Sequence, residues 1–138
     1  MKDADNWYYS DKVKEHFLRP KNFLGKEPKK GEFDAYGEAG SVVCGDVMKV
    51  WLKIDKKMER VKKFKWQTWG CASAIAATSM FSVMVTEKGG MKIKDALKVT
   101  PKDIITRLHG LPPQKVHCSV LADQAFKKAL DSYYRGRV

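Results

Sequence analysis

Apolar and polar side chains alternate along two neighbouring stretches of the chain, residues 47–55 and 61–69. The inward rows of these stretches are Met48, Val50, Leu52 and Ile54 in the first, and Phe64, Trp66 and Thr68 in the second. A period of two with one apolar row indicates half-buried strands. The polar residues 56–60 between them predict a turn. Together these patterns predict an antiparallel hairpin with one solvated, basic face.

Helical patterns surround the predicted hairpin. Residues 72–86 are apolar nearly all round, which is typical of a helix packed on several sides. A final helix is predicted over residues 117–135. Its solvent-facing residues are expected to be Asp123, Lys127, Lys128 and Asp131. Shorter helices are predicted at residues 11–18, 92–98 and 101–109, and another short strand at residues 32–38. These elements predict an α+β fold, with a small antiparallel three-stranded sheet and helices packed on one face.

The length and charge of the chain narrow its class. Its 138 residues suit one domain, and we expect a flexible segment over residues 1–8 and a single domain over residues 9–138. Lys and Arg number 27 against 16 Asp and Glu, which gives a net charge of +11. This excess favours anionic partners without choosing among them. The hairpin lysines are expected to form a solvated strand face, and no nucleic acid is expected as a partner.

Membrane, secreted and nucleotide-binding classes find no support in the sequence. Residues 66–86 carry no charge, but they contain too many small polar side chains for a convincing membrane span. The first residues contain no apolar run, so we expect no signal peptide. The odd count of three cysteines argues against a disulfide framework and favours a reducing, cytoplasmic setting. No phosphate-binding glycine motif is present.

Two of the cysteines flank the predicted hairpin. Cys44 precedes the first strand and Cys71 follows the second, and the two lie symmetrically about the turn. Opposite positions of an antiparallel pair have Cα atoms about 5 Å apart. The hairpin therefore predicts that Cys44 and Cys71 meet at its open end. Asp46 shares the apolar row of its strand, where a carboxylate is costly unless it is used.

The third cysteine extends this set without completing its geometry. Cys71 and Cys118 lie at predicted helix starts, which favour the thiolate form, and His117 adjoins Cys118. The five candidate ligands are Cys44, Asp46, Cys71, His117 and Cys118. They suffice for a tetrahedral site of three cysteines with a histidine or an aspartate. Spacing alone does not bring His117 and Cys118 to the hairpin, and three buried core cysteines remain an alternative, since no C-x-x-C pair is present.

Three motifs give this sequence a family resemblance. Residues 43–48 (VCGDVM), 69–76 (WGCASAIA) and 111–119 (LPPQKVHCS) resemble the iron–sulfur cluster assembly scaffolds of the IscU/NifU N-terminal type. The opening helix and loop, residues 9–22, are similar to that family as well. Each motif alone is modest, but three in this order and separation are specific. The resemblance implies an IscU/NifU-like fold.

The resemblance also implies roles for individual residues. Cys44, Cys71 and Cys118 would hold a nascent [2Fe–2S] cluster, with Asp46 or His117 as the fourth ligand and the aspartate keeping the cluster labile. Lys115 matches a lysine associated with sulfur handling. The loop of Leu111, Pro112, Pro113, Gln114 and Lys115 resembles one recognised by an Hsp-type chaperone pair, and Gln114 stands where the family usually has an apolar residue.

The function implied by the resemblance is that of a scaffold and not of an enzyme. It would receive sulfur from a cysteine desulfurase, assemble a labile cluster and pass it to apo iron–sulfur acceptor proteins, as a dimer or trimer when the cluster is bound. A zinc-binding protein that uses the same cysteines with His117 or Asp46 is the alternative. Zinc would also satisfy this ligand set in the isolated protein.

Overall fold

The computed structural model describes residues 10–41, 46–69, 72–110 and 117–135. Its strands are β1 (Ala35–Ser41), β2 (Asp46–Asp55) and β3 (Arg60–Thr68). Its helices are α1 (Asp11–Leu18), α2 (Ala72–Thr86), α3 (Ile93–Ala96), α4 (Pro101–Arg107) and α5 (His117–Tyr134), with a 3₁₀ turn at Glu87–Gly89. Within these ranges, no helix is long and apolar enough to span a membrane.

The three strands form one antiparallel sheet in the order β1-β2-β3. Symmetry about the β2–β3 turn predicts that Val47 faces Thr68, but the structure pairs Met48 with Thr68. The register shifts between Lys53 and Ile54, where a β-bulge adds one residue to β3. The expected symmetry is therefore wrong by one residue, because the position of a turn does not reveal a bulge within the strand.

The core lies between one face of the sheet and the helices α2 and α5. The inward rows of β2 and β3 are buried throughout, as the alternation predicts. Phe64 of β3 packs against Phe81 of α2 and Phe126 of α5, with ring centroids 5.4 and 5.6 Å away. These three rings join the sheet to both helices, and the predicted fold class is confirmed.

The outer face of the sheet is only partly solvated, which corrects the expectation of a wet hairpin face. Trp51 is 7% exposed and packs against Tyr36 with ring centroids 5.2 Å apart. Gln67 is 8% exposed, and its Nε2 donates to the carbonyl oxygen of Leu24 at 3.4 Å. The loop after α1 contributes to this cover through Leu24 and Glu27. Strand alternation alone cannot predict such a cover.

The final helix places one charged side chain inside the protein. Asp123 was expected to face solvent, but it is only 8% exposed. Its Oδ2 forms an ion pair with Lys127 Nζ at 3.1 Å, whereas its Oδ1 has no hydrogen-bond partner. The expectation is wrong because neighbouring elements cover a wider part of α5 than its apolar stripe indicates.

Local sequence signals set the starts of the short helices. The Ser10 side chain accepts the Val13 N–H at 3.1 Å and caps α1. Thr100 and Asp103 form a capping box at the start of α4. The strand predicted at residues 32–38 is observed three residues later, as Ala35–Ser41, because its bounds follow its pairing with β2 and not its own composition.

Candidate site at the open end of the sheet

The start of β2 and the end of β3 lie at the same end of the sheet, which we call the open end. There Met48 pairs with Thr68, and the Trp69 N–H donates to the Val47 carbonyl oxygen at 3.4 Å. The opposite end carries the β2–β3 turn, and we call it the turn end. Because Asp46 is the first residue of β2, its backbone lies at the open end.

Helix α2 runs from the open end to the turn end. In its first half, Thr78 Oγ1 lies 3.5 Å from Met48 Sδ, which is close to the open end. At its other end, the Val85 carbonyl oxygen accepts the Met91 N–H at 2.8 Å, and the Met91 carbonyl oxygen accepts the Val61 N–H at 2.9 Å. Val61 adjoins the turn between β2 and β3. The first residue of α2 is therefore at the open end.

Helix α5 runs in the same direction as α2. Its middle crosses β1 at Gly37, where there is no room for a side chain against the backbone of Ala125 and Ala129. Near its last residue, burial and then the nearby Glu59 carboxylate raise the pKa of Tyr134 above its ordinary value. Glu59 belongs to the turn end. Since α5 has 18 residues and is about 27 Å long, its first residues lie toward the open end.

The starts of β2, α2 and α5 thus all lie toward the open end, and the candidate ligands are at or next to these starts in the sequence. His117 and Cys118 begin α5, and Asp46 begins β2. Cys44 and Cys71 lie outside the described residues, two positions before β2 and one before α2, as does the whole predicted chaperone loop with Lys115. Spacing along the sequence does not predict where His117 and Cys118 lie relative to the hairpin. The direction of α5 places their backbone toward the open end.

Two helix starts give the open end a positive electrostatic character. The first turns of α2 and α5 contain no acidic residue, so no side chain within those turns offsets the partial positive charge of the helix starts. By contrast, α1 and α4 carry Asp11 and Asp103 in their first turns. An uncompensated helix start favours anions such as thiolates and sulfide.

The open end also carries an exposed aromatic side chain. Trp69 is 62% exposed although it adjoins the buried end of β3. Lys49 Nζ lies 5.3 Å from the centre of its ring and pairs with Glu27 Oε2 at 2.7 Å. An exposed ring of this size at the open end is accessible to another protein.

Sequence reasoning missed one polar group near these ligands. Ser73 lies in the first turn of α2, is fully buried, and its Oγ has no hydrogen-bond partner. The available signal was its position two residues after Cys71 in an otherwise small and apolar helix. Native proteins rarely leave a buried hydroxyl unpaired without a reason.

The buried histidine lies elsewhere and serves the packing of α1. His16 is 5% exposed, and its Nδ1 lies 2.7 Å from Ser79 Oγ in the middle of α2. The Lys21 N–H donates to the same hydroxyl at 2.8 Å. His16 is thus structural.

The fold and its open end define a class of small α+β domain, in which two parallel helices start on the same side as the open end of an antiparallel sheet. A family model described as the NifU-like N terminal domain matches residues 8–138. The chain therefore belongs to the NifU-like N-terminal domain family.

Relatives and solved structures agree with this assignment. The chain is 43% identical over 127 residues to the iron-sulfur cluster assembly scaffold protein IscU 1 of Archaeoglobus fulgidus, covering 92% of this chain and 77% of that protein. It is 39% identical to the iron-sulfur cluster assembly scaffold protein IscU of Aquifex aeolicus, covering 94% of this chain and 80% of that protein. It is 39% identical to the nitrogen fixation protein NifU of a Nostoc species, of which it spans 42%.

Two solved structures share the fold at low sequence identity. A NifU-like N-terminal protein from Brucella abortus matches with a TM-score of 0.66 at 16% identity, covering 91% of this chain and 94% of that chain. A putative iron-sulfur cluster assembly scaffold protein for the SUF system from Fervidobacterium islandicum matches with a TM-score of 0.61 at 18% identity, covering 88% and 96%.

Proposed function

We propose that this protein is a scaffold on which a labile iron–sulfur cluster is assembled and from which it is transferred to apo-proteins. The observation that carries the proposal is that the starts of β2, α2 and α5 all lie toward the open end. The sequence attaches one cysteine to each of these starts, Cys44, Cys71 and Cys118. The names of the IscU and NifU relatives support the same function.

The chemistry of the proposed ligands suits an iron–sulfur cluster that must be released after assembly. Three thiolates would bind the iron ions of the cluster, and Asp46 or His117 would supply a fourth ligand that is harder than a thiolate or can be protonated. Such a site holds the cluster less firmly than four cysteines do. The role requires binding and release only, so the chain needs no substrate turnover of its own.

Sulfur delivery would proceed by transfer from a persulfide on a cysteine desulfurase. A scaffold thiolate attacks the outer sulfur of the donor persulfide, a new S–S bond forms, and the donor cysteine leaves as a thiolate. The uncompensated helix starts at α2 and α5 favour the attacking thiolate. Lys115 is proposed to assist this step, and the loop 111–115 to contact a chaperone pair.

The test is anaerobic reconstitution of the reduced protein with ferrous iron and sulfide. We expect a visible charge-transfer band, stoichiometric bound iron and sulfide, and transfer of the cluster to an apo-ferredoxin. Cys44→Ala, Cys71→Ala and Cys118→Ala should each abolish the band. Asp46→Ala should lengthen the lifetime of the cluster, because the exchangeable oxygen ligand is removed.

Controls separate loss of ligands from loss of fold. His109→Asn provides a matched control for His117→Asn, because His109 follows α4 and lies outside the proposed ligand set. Circular dichroism should be the same for all variants. If no cluster forms while zinc binds stoichiometrically and raises the melting temperature, the scaffold proposal is wrong and the zinc-binding alternative holds.

A further inference from the structure

Helix α2 has three distinct buried surfaces. Ser79 and Ser82 lie on one flank, where their hydroxyls contact His16 and Asn22 beside α1. Thr78 and Phe81 face the sheet. The opposite flank consists of Ser73, Ala77, Met80 and Met84, all at most 7% exposed. Helix α2 also packs on α4 and α5, so we assign the cover of that flank to these two helices.

Ser73 lies level with the start of α5. Phe81 and Phe126 are in contact, with ring centroids 5.1 Å apart, and the two helices run in the same direction. Ser73 precedes Phe81 by eight residues, and Cys118 precedes Phe126 by eight. Each interval corresponds to about 12 Å of helix, so both residues lie about equally far toward the open end.

Ser73 is also the exception among the buried hydroxyls of α2. Thr78 Oγ1 donates to the Ala74 carbonyl oxygen at 2.8 Å, and Ser82 Oγ donates to the Ser79 carbonyl oxygen at 2.7 Å. The Ser79 hydroxyl accepts the Lys21 N–H. Among the side chains that the structure describes on α2, only the Ser73 hydroxyl is buried without a partner.

An unpaired buried hydroxyl destabilises the protein, and alanine would be the better residue for a buried helical position. The cost is offset if the hydroxyl gains a partner in another state of the protein. The partner must arrive at the open end, must accept a hydrogen bond, and must be anionic to be favoured beside two helix starts. A metal-bound cysteine sulfur meets all three conditions.

We propose that the Ser73 hydroxyl donates a hydrogen bond to a metal-bound cysteine sulfur at the open end. Ser73 is then a positioning residue, unpaired in the empty protein and paired in the loaded one. The inference rests on the proposed function, because it requires that metal bind there. Ser73 would then influence both the affinity for the metal and the reduction potential of the cluster without being a ligand itself.

The test compares the stability of the empty protein with its affinity for zinc. Ser73→Ala should raise the midpoint of thermal unfolding of the metal-free protein by about 2 to 4 °C, since an unpaired buried hydroxyl is removed. It should weaken zinc binding about tenfold, measured under anaerobic reducing conditions by competition with a chromophoric chelator. Opposite changes in stability and affinity are the signature of the proposed hydrogen bond.

Two further variants separate this role from simple packing. Ser73→Thr keeps the donor but adds a methyl group to a full site, so we expect a less stable empty protein with the zinc affinity retained. Ser82→Ala removes a paired hydroxyl on the other flank of α2, and it should lower stability without changing zinc affinity. A purely structural role would give Ser73→Ala the zinc affinity of the original protein, which would overturn the inference.

The reduction potential provides an independent readout. A donor to a cluster sulfur stabilises the more negatively charged reduced state, so Ser73→Ala should lower the potential of the reconstituted cluster. If Ser73→Ala changes neither the reduction potential nor the zinc affinity, the inference about Ser73 is wrong and the scaffold proposal is unaffected. If the original chain binds neither zinc nor a cluster, the proposed function itself fails.

Discussion

His16 shows what one buried titratable side chain contributes to this protein. Burial lowers the pKa of His16 below its ordinary value, and the positive charges of Lys12, Lys21 and Arg107 act in the same direction. The Glu15 carboxylate opposes them, but burial dominates. The neutral imidazole is therefore the form that fits between α1 and α2.

A depressed histidine pKa makes the stability of the fold depend on pH. Because the unfolded chain takes up the proton more readily, the contribution of His16 is complete above the unfolded pKa near 6.5 and is lost as the pH falls below it. We expect the free energy of unfolding to decrease on acidification, with a slope of up to about 1.4 kcal/mol per pH unit from this group.

Urea unfolding between pH 7.5 and pH 5 measures this slope, because these two pH values bracket the ordinary histidine pKa of about 6.5. His16→Gln provides the control, because it removes the titrating group and should flatten the profile over this range. The histidine explanation would be wrong if the profile of the variant kept the same slope as that of the original protein.

At the scale of elements, the position of α5 depends on its close approach to β1. A Cβ at Gly37 would overlap the backbone of Ala125 and Ala129 and lie 2.9 Å from the Ala129 Cα. Backbone atoms cannot yield as the end of a side chain can. The glycine therefore allows α5 to lie against the strand, and through that contact it fixes where α5 begins.

Gly37→Ala should force α5 away from β1. We expect the free energy of unfolding to fall by about 3 kcal/mol, the upper range for overpacking, as measured by urea denaturation. Metal binding at the open end should weaken too, because the first turn of α5 moves with the helix. Gly25→Ala is the matched control, since nothing lies within 4 Å of the added Cβ, and it should leave both quantities unchanged.

At the scale of the whole molecule, the net charge is +11. The β2–β3 turn and the adjoining strand ends carry four lysines, namely Lys56, Lys57, Lys62 and Lys63, which we call the lysine group. All four are exposed, and Lys56 has an ion-pair partner, Asp34, at 3.6 Å. A basic surface of this kind attracts an acidic or mixed surface on a partner.

We expect the lysine group to speed the approach of a cysteine desulfurase by long-range attraction, because the group lies at the turn end, away from the open end where sulfur would be transferred. Reversing all four charges to glutamate should slow association at low salt by about tenfold or more, and the difference should shrink as salt is raised. Kinetic binding measurements at two salt concentrations test this. Replacement by glutamine should give an intermediate effect, and unchanged binding of the glutamate variant would exclude a contribution of the lysine group to desulfurase binding.

Much of the local structure was determined by the sequence alone. The period-two rows of β2 and β3 are set by which side chains avoid water, and the small apolar residues of α2 predict a buried helix. Ser10 and Thr100 mark the starts of α1 and α4, because caps act on adjacent backbone groups. Three cysteines with an aspartate and a histidine indicated metal and sulfur chemistry, because the chemistry of a donor set depends on residue type.

Only the tertiary structure decided what depends on distant parts of the chain. The bulge in β3, the cover over Trp51 and the burial of Asp123 each arise from packing that no local pattern records. The close approach of α5 to Gly37, 88 residues before Ala125, and the direction of the helix bring its first residues toward the open end. Periodicity reports which face of an element is buried, whereas long-range packing determines against what it is buried and which of its ends meet.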